Sequence, residues 1–118
     1  MVKEDLVLNN LVVPEATTIR EVMVAITDNQ RGAVVVVDDN FVLQGVVSDG
    51  DLRRALVRGA TEFTPISKCV NTRIYYVSSN NVKDAQSIFD ENQEVTLLPV
   101  VDGKNKVVNV LVRNARMQ

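Results

Sequence analysis

Chemistry-bearing residue types concentrate in one stretch of this chain, Gly45-Val46-Val47-Ser48-Asp49-Gly50-Asp51-Leu52-Arg53-Arg54. Its apolar start and polar middle predict a strand that passes through a tight turn into a helix. Ser48 stands where a helix cap belongs and Asp51 follows three residues later, the spacing of a capping box with Asp in place of Glu. A helix start also presents unpaired N–H groups and the positive end of a dipole, a combination that suits phosphate. The Ser48 hydroxyl adds a donor, and the Asp51 carboxylate can accept the two hydrogen bonds that vicinal ribose hydroxyls offer. Arg54 and Arg58 lie three and seven residues beyond Asp51, on roughly its face of the helix, where guanidinium groups can reach phosphate oxygens. The plainer readings are a capping box and a solvated helix face, and the first is compatible with ligand binding.

Other chemistries find less support. Asp49-Gly50-Asp51 has no further acids at calcium-loop spacing, so no metal site is expected. Neither a Gly-rich phosphate loop nor a carboxylate cluster is present, so the chain is not expected to be an enzyme. It contains no His, which removes the commonest general base near neutral pH and the commonest zinc ligand.

The elements that must position this stretch come in two similar sets. Val35-Val36-Val37-Asp38 matches Pro99-Val100-Val101-Asp102 at a spacing of 64 residues, and Val46-Val47 matches Val110-Leu111 at the same spacing. Upstream, Ile19, Val22 and Ile26 match Val82, Ala85 and Phe89 at a spacing of 63, which implies one extra residue between Phe89 and Leu97. Each set begins with a short apolar strand, Leu11 to Val13 or Ile74 to Val77. A helix start follows, at Thr17 or Thr18 with Glu21 in capping-box spacing, and at Ser79-Asn80-Asn81. Apolar residues then recur with helical period at Ile19, Val22, Met23 and Ile26, and at Val82, Ala85, Ile88 and Phe89. Apolar strands follow at Ala33 to Val37 and Leu97 to Val101. Asp38-Asp39-Asn40 and Asp102-Gly103-Lys104-Asn105 predict hairpin turns into second strands, Phe41 to Val47 and Lys106 to Leu111. A last helix opens at Ser48, with Leu52, Ala55 and Leu56 on its apolar side; its counterpart in the second set is expected to be incomplete at Gln118. The order is β-α-β-β-α, twice, in an α/β (α+β) fold. A unit of this size buries little of its own surface, so the copies are expected to pack sheet to sheet about a pseudo-twofold axis, leaving clefts at the seam.

The motif Gly45-Val46-Val47-Ser48-Asp49-Gly50-Asp51 behind a Val-Val-Asp hairpin, together with the duplication, resembles the nucleotide-binding pattern of CBS repeats. The resemblance covers the chain from Leu6 onward and implies one CBS-pair module, with repeats over residues 6–60 and 66–118. It implies a regulatory role, with AMP, ADP, ATP or S-adenosylmethionine bound between repeats, no cofactor required, and two pairs associating as a homodimer. It also implies a pocket built from both copies, in which Ser48, Asp51 and Arg54 face Thr72, Ile74, Val95, Thr96 and Leu97, with apolar side chains sandwiching the base. For Ile74, Val95 and Leu97 the plainer reading is core packing; for Cys69, just upstream, it is a buried small residue. The second copy departs from the motif: Asn109, Val112 and Ala115 stand at the places of Gly45, Ser48 and Asp51, so at most one good site per chain is expected. A ligand-free dimerisation platform is the alternative. The abrupt ends suggest part of a larger protein, and the Val82-to-Leu111 stretch is similar to pairs attached to sugar-phosphate nucleotidyltransferases.

Composition fits these expectations. The 118 residues are 46% hydrophobic and 24% charged but only 4% aromatic, without Trp, so the core must be Val, Leu and Ile. A net charge of −2 lacks the footprint of a nucleic-acid binder. No apolar run is long enough to span a bilayer, the acidic N-terminus is unlike a signal peptide, and the single Cys points to a reducing cytoplasm.

Overall fold

The computed structural model of the chain describes residues 3–113. It contains two three-stranded sheets. In the first, β1 (Val12–Pro14) lies parallel to β2 (Ala33–Val37), and β2 is antiparallel to β3 (Leu43–Ser48). In the second, β4 (Val77–Ser78), β5 (Leu97–Val101) and β6 (Val107–Val112) repeat the same order and directions. Helix α2 (Ile19–Asn29) links β1 to β2 and α4 (Ala85–Glu91) links β4 to β5, while α3 (Asp49–Val57) follows β3 directly.

Symmetry is visible at the level of single hydrogen bonds. Asp38 Oδ1 accepts from the backbone N–H groups of Asn40 (2.8 Å) and Val42 (2.9 Å). Asp102 Oδ1 accepts from those of Lys104 (2.9 Å) and Lys106 (3.0 Å). Each Asx turn throws one residue into the left-handed region, Phe41 at φ 65° and Asn105 at φ 66°, where Asn is at ease and an aromatic is unusual. The two turns then clasp each other: Leu43 N–H donates to the Asn105 carbonyl (3.0 Å) and Val107 N–H to the Phe41 carbonyl (2.9 Å). Register shifts at Val36/Val37 and at Val100/Val101 are a further matched pair.

Side-chain alternation explains the layers. Val35 and Val37 of β2 point inward and meet Leu97, Val101, Val107 and Val110 of the second sheet, forming the core at the seam. Val34 and Val36 point outward, under Ile19, Val22, Ala25 and Ile26 of α2. The second repeat has a smaller outer core, with Leu98 and Val100 under Ala85 and Phe89. Both β2 and β5 are therefore buried along their whole length. The Thr18–Glu21 capping box starts α2 as the sequence indicates.

Four features differ from the sequence reading. A helix α1 (Lys3–Leu8) precedes β1; it inserts Leu6, fully buried, into the seam core beside Leu11 and Val12. Residues Ile74 to Tyr76 are not strand. Val35 N–H donates to the Leu11 carbonyl at 2.9 Å, but the matching position 99 is proline, which has no N–H to offer the Tyr75 carbonyl. The ladder in repeat 2 therefore starts at Val77, one residue later than the ladder of repeat 1, which starts at Val12, the counterpart of Tyr76. Met23 and Val82 are exposed rather than core, and Val82 belongs to a 3-10 turn, Val82–Asp84, ahead of α4. The expected incomplete last helix and Ala115 lie outside the described residues.

Candidate functional site

The turn between β3 and α3 opens onto the seam. Ser48 is the N-cap of α3, with an extended backbone (φ −108°, ψ 167°). Asp51 N–H donates to Ser48 Oγ at 3.2 Å, and Asp51 Oδ2 accepts from both Ser48 N–H (2.9 Å) and Ser48 Oγ (3.0 Å). The other carboxylate oxygen, Oδ1, accepts from Arg54 Nη2 at 2.7 Å. Arg54 is 61% exposed along its side chain and Asp51 17%, so the carboxylate is held rigid from below while the guanidinium reaches in from solvent. Gly50 leaves room for that reach, since a Cβ there would come within 3.3 Å of Arg54 Nη1. Of the first helical N–H groups, that of Asp49 donates to the Gly32 carbonyl (3.0 Å) and that of Asp51 to Ser48. The Ser48 proton is thus engaged by Asp51, and the hydroxyl must rotate before it can donate to a phosphate.

Across the seam, the opposite wall depends on Gly45. Val46 and Asn71 exchange backbone hydrogen bonds, Val46 N–H to the Asn71 carbonyl (3.1 Å) and Asn71 N–H to the Val46 carbonyl (3.0 Å). A Cβ on Gly45 would collide with that Asn71 carbonyl oxygen and stand 2.8 Å from Val70 Cγ1. Glycine lets the inter-repeat segment dock on β3. From this anchor the chain runs through Arg73, Ile74 and Tyr75 along the cleft before entering β4. The third side is the segment before β5, Glu94 to Leu97. Arg113 holds that segment: its Nε donates to the Val95 carbonyl (3.0 Å), Nη2 to the carbonyls of Phe89 (2.7 Å) and Asn92 (2.9 Å), and its guanidinium carbon lies 5.1 Å from the Phe89 ring centroid. Thr96 Oγ1 donates to the Arg31 carbonyl at 2.7 Å, tying the repeats together.

The enclosed space is about 330 Å3, the lower end of the range for a small-molecule pocket. Ser48, Asp51, Arg54, Ile74, Val95, Thr96 and Leu97 all line it. Thr72 does not, although its neighbours Asn71 and Arg73 do; all three residues are exposed. The sequence reading missed Asn71, Arg73, Tyr75 and Glu94. An aromatic in an otherwise aromatic-poor chain was the available signal for Tyr75; Asn71 and Glu94 carry none without the docked path of the chain. Leu97 is also part of the seam core, so core packing and cleft lining coincide there. Cys69 is half-buried against the repeat 1 core; burial, with the Asp51 charge adding to it, pushes its thiol pKa up and keeps it protonated.

The symmetry-related position is built differently. Val112 stands in place of Ser48 and packs against the seam core. Asn109 replaces Gly45 and spends its side-chain oxygen on the Val110 N–H (2.8 Å). Arg31 Nη1 donates to the Arg113 carbonyl (2.9 Å). Among the described residues no group of three or more metal-ligating side chains occurs, and no helix is long and apolar enough to cross a membrane.

Comparison with known proteins agrees with this geometry. The CBS domain family model matches residues 2–58, the repeat that retains the complete motif. Arabinose 5-phosphate isomerase GutQ of Salmonella typhimurium is 32% identical over 97 residues, 81% of this chain and 30% of that protein; the chain spans about a third of the length of the curated relatives it matches. A CBS domain pair/ACT domain protein from Thermotoga maritima superimposes with a TM-score of 0.72 at 25% identity, covering 86% of this chain and 79% of that one. The structure of CBSX2 in complex with AMP gives a TM-score of 0.69 at 27% identity, covering 88% and 82%. With its duplicated fold, its motif and these likenesses together, the chain belongs to the CBS domain family as a CBS pair.

Proposed function

We propose that the chain is a regulatory module that binds one adenine nucleotide per chain in the cleft between its repeats. The observation that carries this reading is the cleft's polarity gradient: a capped helix start with a fixed carboxylate and Arg54 at one end, and Ile74, Tyr75, Val95 and Leu97 at the other. In this reading ribose hydroxyls take Asp51 Oδ1 from Arg54, and the released guanidinium turns to phosphate. The base lies between the apolar residues and Tyr75, with Glu94 placed to accept from an exocyclic amine. The AMP complex of the similar CBSX2 supports an adenosine-containing ligand, and the altered residues at Asn109 and Val112 support a single site. The repeats are taken as residues 6–60 and 66–118, in a cytoplasmic protein without enzymatic activity of its own and without nucleic-acid or membrane partners.

What such a module controls is an attached or partner enzyme. A sugar-phosphate nucleotidyltransferase is one class; the arabinose 5-phosphate isomerases among the relatives add sugar-phosphate isomerases as another. A second reading, a ligand-free dimerisation platform, is favoured by one observation. Val24 of α2 and Val57 of α3 are 57% and 82% exposed on neighbouring helices, an apolar surface that a homodimer of CBS pairs would cover.

Titration calorimetry with AMP, ATP and S-adenosylmethionine separates the readings. The nucleotide reading expects at least one of them to bind with a stoichiometry of one and Asp51→Ala to weaken it by at least about tenfold, the equivalent of losing one or two charge-assisted hydrogen bonds. Absence of binding below millimolar concentration, or an unaffected Asp51→Ala protein, refutes it.

A further inference from the structure

The two walls of the cleft are pinned to consecutive carbonyls of one turn, between α2 and β2. Asp49 N–H, at the start of α3, donates to the Gly32 carbonyl (3.0 Å), and Thr96 Oγ1, on the opposite wall, donates to the Arg31 carbonyl (2.7 Å). The turn is braced. Gln30 and Gly32 take left-handed backbones (φ 58° and 74°). Asn29 Oδ1 accepts from Arg31 N–H (2.7 Å), and Asn29 Nδ2 donates to the carbonyls of Asn10 (2.7 Å) and Ala33 (3.0 Å). Comparison of the repeats shows what has been added to this turn. The bond from Asp49 N–H to Gly32 has its counterpart 64 residues on, from Arg113 N–H to the Thr96 carbonyl (3.0 Å). Two further bonds have none, because Gly32 stands at the place of Thr96 without a hydroxyl and Val95 at the place of Arg31 without a donor. These are Thr96 Oγ1 to the Arg31 carbonyl and Arg31 Nη1 to the Arg113 carbonyl (2.9 Å). With the Arg113 to Thr96 bond they close a ring of three hydrogen bonds across the repeats. The half-buried Arg31 forms no ion pair among the described residues. Its guanidinium reaches instead to a residue at the place of Asp49, where the second copy has lost the motif.

From this arrangement we infer that Arg31 is a positioning residue for the cleft: through the ring it holds the Thr96 wall at a fixed distance from the Ser48–Asp51 wall. The inference rests on the nucleotide reading of the cleft. Arg31 does not line the cleft itself, so it acts on a ligand through Thr96 and the turn. Adjacent residues lie about 3.8 Å apart, so walls bound to carbonyls 31 and 32 have little freedom to part while the ring is closed. Opening any of its three bonds lets the segment before β5 move away from α3. A wall set before the ligand arrives removes an ordering cost from binding. The altered second copy thereby supports the first: the place that lost its motif receives the arginine that stiffens the remaining site.

Calorimetry on the whole chain with AMP, ATP and S-adenosylmethionine tests this, using wild type, Arg31→Ala, Arg31→Lys, Thr96→Val, the Arg31→Ala/Thr96→Val pair and Thr18→Ala. Arg31→Ala and Thr96→Val should each weaken binding about fivefold or more. The pair should weaken it by less than the product of the two, because one broken bond already opens the ring. Arg31→Lys supplies the single donor that the Arg113 carbonyl requires and should stay within about twofold of wild type. Thr18→Ala, which loosens the far end of α2, should leave affinity unchanged and so controls for lost stability. Three results overturn the positioning role and leave the cleft assignment standing: an Arg31→Ala protein that binds as wild type does, an Arg31→Lys protein as weak as Arg31→Ala, or a combined loss equal to the product, as a through-space effect of the charge would give. Failure of wild type to bind any of the three ligands overturns both.

Discussion

Replacing Gly45 by alanine tests how the cleft wall is made. The new Cβ would overlap the Asn71 carbonyl oxygen and press on Val70 Cγ1 at 2.8 Å. Backbone, unlike the tip of a flexible side chain, cannot step aside alone, so the segment from Val70 to Asn71 must lift from β3. Lifting it breaks the two Val46–Asn71 backbone hydrogen bonds, each with a net value of about 0.5–1.5 kcal/mol. If the segment stays, overpacking costs about 1–3 kcal/mol instead. The two costs are alternatives rather than additive, and either gives a loss of about 2 kcal/mol. For a chain of 118 residues this lowers the melting temperature by roughly 6–12 °C. Gly103→Ala is the matched control, because nothing lies within 4 Å of a Cβ there, and its effect should stay within about 0.5 kcal/mol. Urea and thermal unfolding of both variants provide the assay, with nucleotide affinity measured in parallel. A Gly45→Ala protein as stable as Gly103→Ala refutes the claim that this glycine exists for the docking of Asn71.

Arg113→Ala removes three carbonyl partners and a ring contact from the segment before β5; a loss of about 2 kcal/mol in urea unfolding is expected, together with weaker nucleotide binding. Pro99→Val restores the N–H that repeat 1 has at Val35, so amide exchange should show new protection at position 99 as β4 lengthens; an unprotected amide there contradicts the account of why β4 starts after Tyr76. Thr18→Ala breaks the capping box of α2 and should cost about 1 kcal/mol in the same unfolding assay. Asp102 has its pKa lowered from an ordinary 3.8 by the Lys106 and Lys104 backbone N–H groups. A carboxyl depressed on folding contributes stability above its unfolded value, and the contribution is lost as pH falls through the folded value. Asp102→Asn keeps an acceptor but cannot titrate, so unfolding measured from pH 5 downward should show a shallower acid loss than wild type.

Much of the fold was legible because β2 and β5 are buried on both faces. Such strands must be unbroken apolar runs, and Ala33 to Val37 and Leu97 to Val101 were found with the bounds the sequence indicated. The Ser48–Asp51 pair was legible for a related reason: capping is local, so its spacing is written in sequence. What escaped depends on distant partners. Ile74 to Tyr76 reads as strand by composition, but Pro99, more than 20 residues on, lacks the N–H that would pair the chain at Tyr76 as Val35 does at Val12 in repeat 1. Helix α1 shows acids in its first turn, Glu4 and Asp5, yet six residues are too few to form alone; it is the burial of Leu6 in the seam that holds it. Thr72 reads as cleft-lining by pattern, whereas Asn71, Arg73 and Tyr75 line the cleft, on a segment anchored by the docking of Asn71 on β3.

Backbone amide NMR during a nucleotide titration is the most direct test of the cleft. If the account is right, signals from Ser48 to Arg54, Arg73 to Tyr75 and Glu94 to Leu97 shift together and saturate at one ligand per chain, while those of Asn109 and Val112 hold still. Shifts centred on the exposed faces of α2 and α3, or two equal sets related by the pseudo-twofold axis, would contradict it.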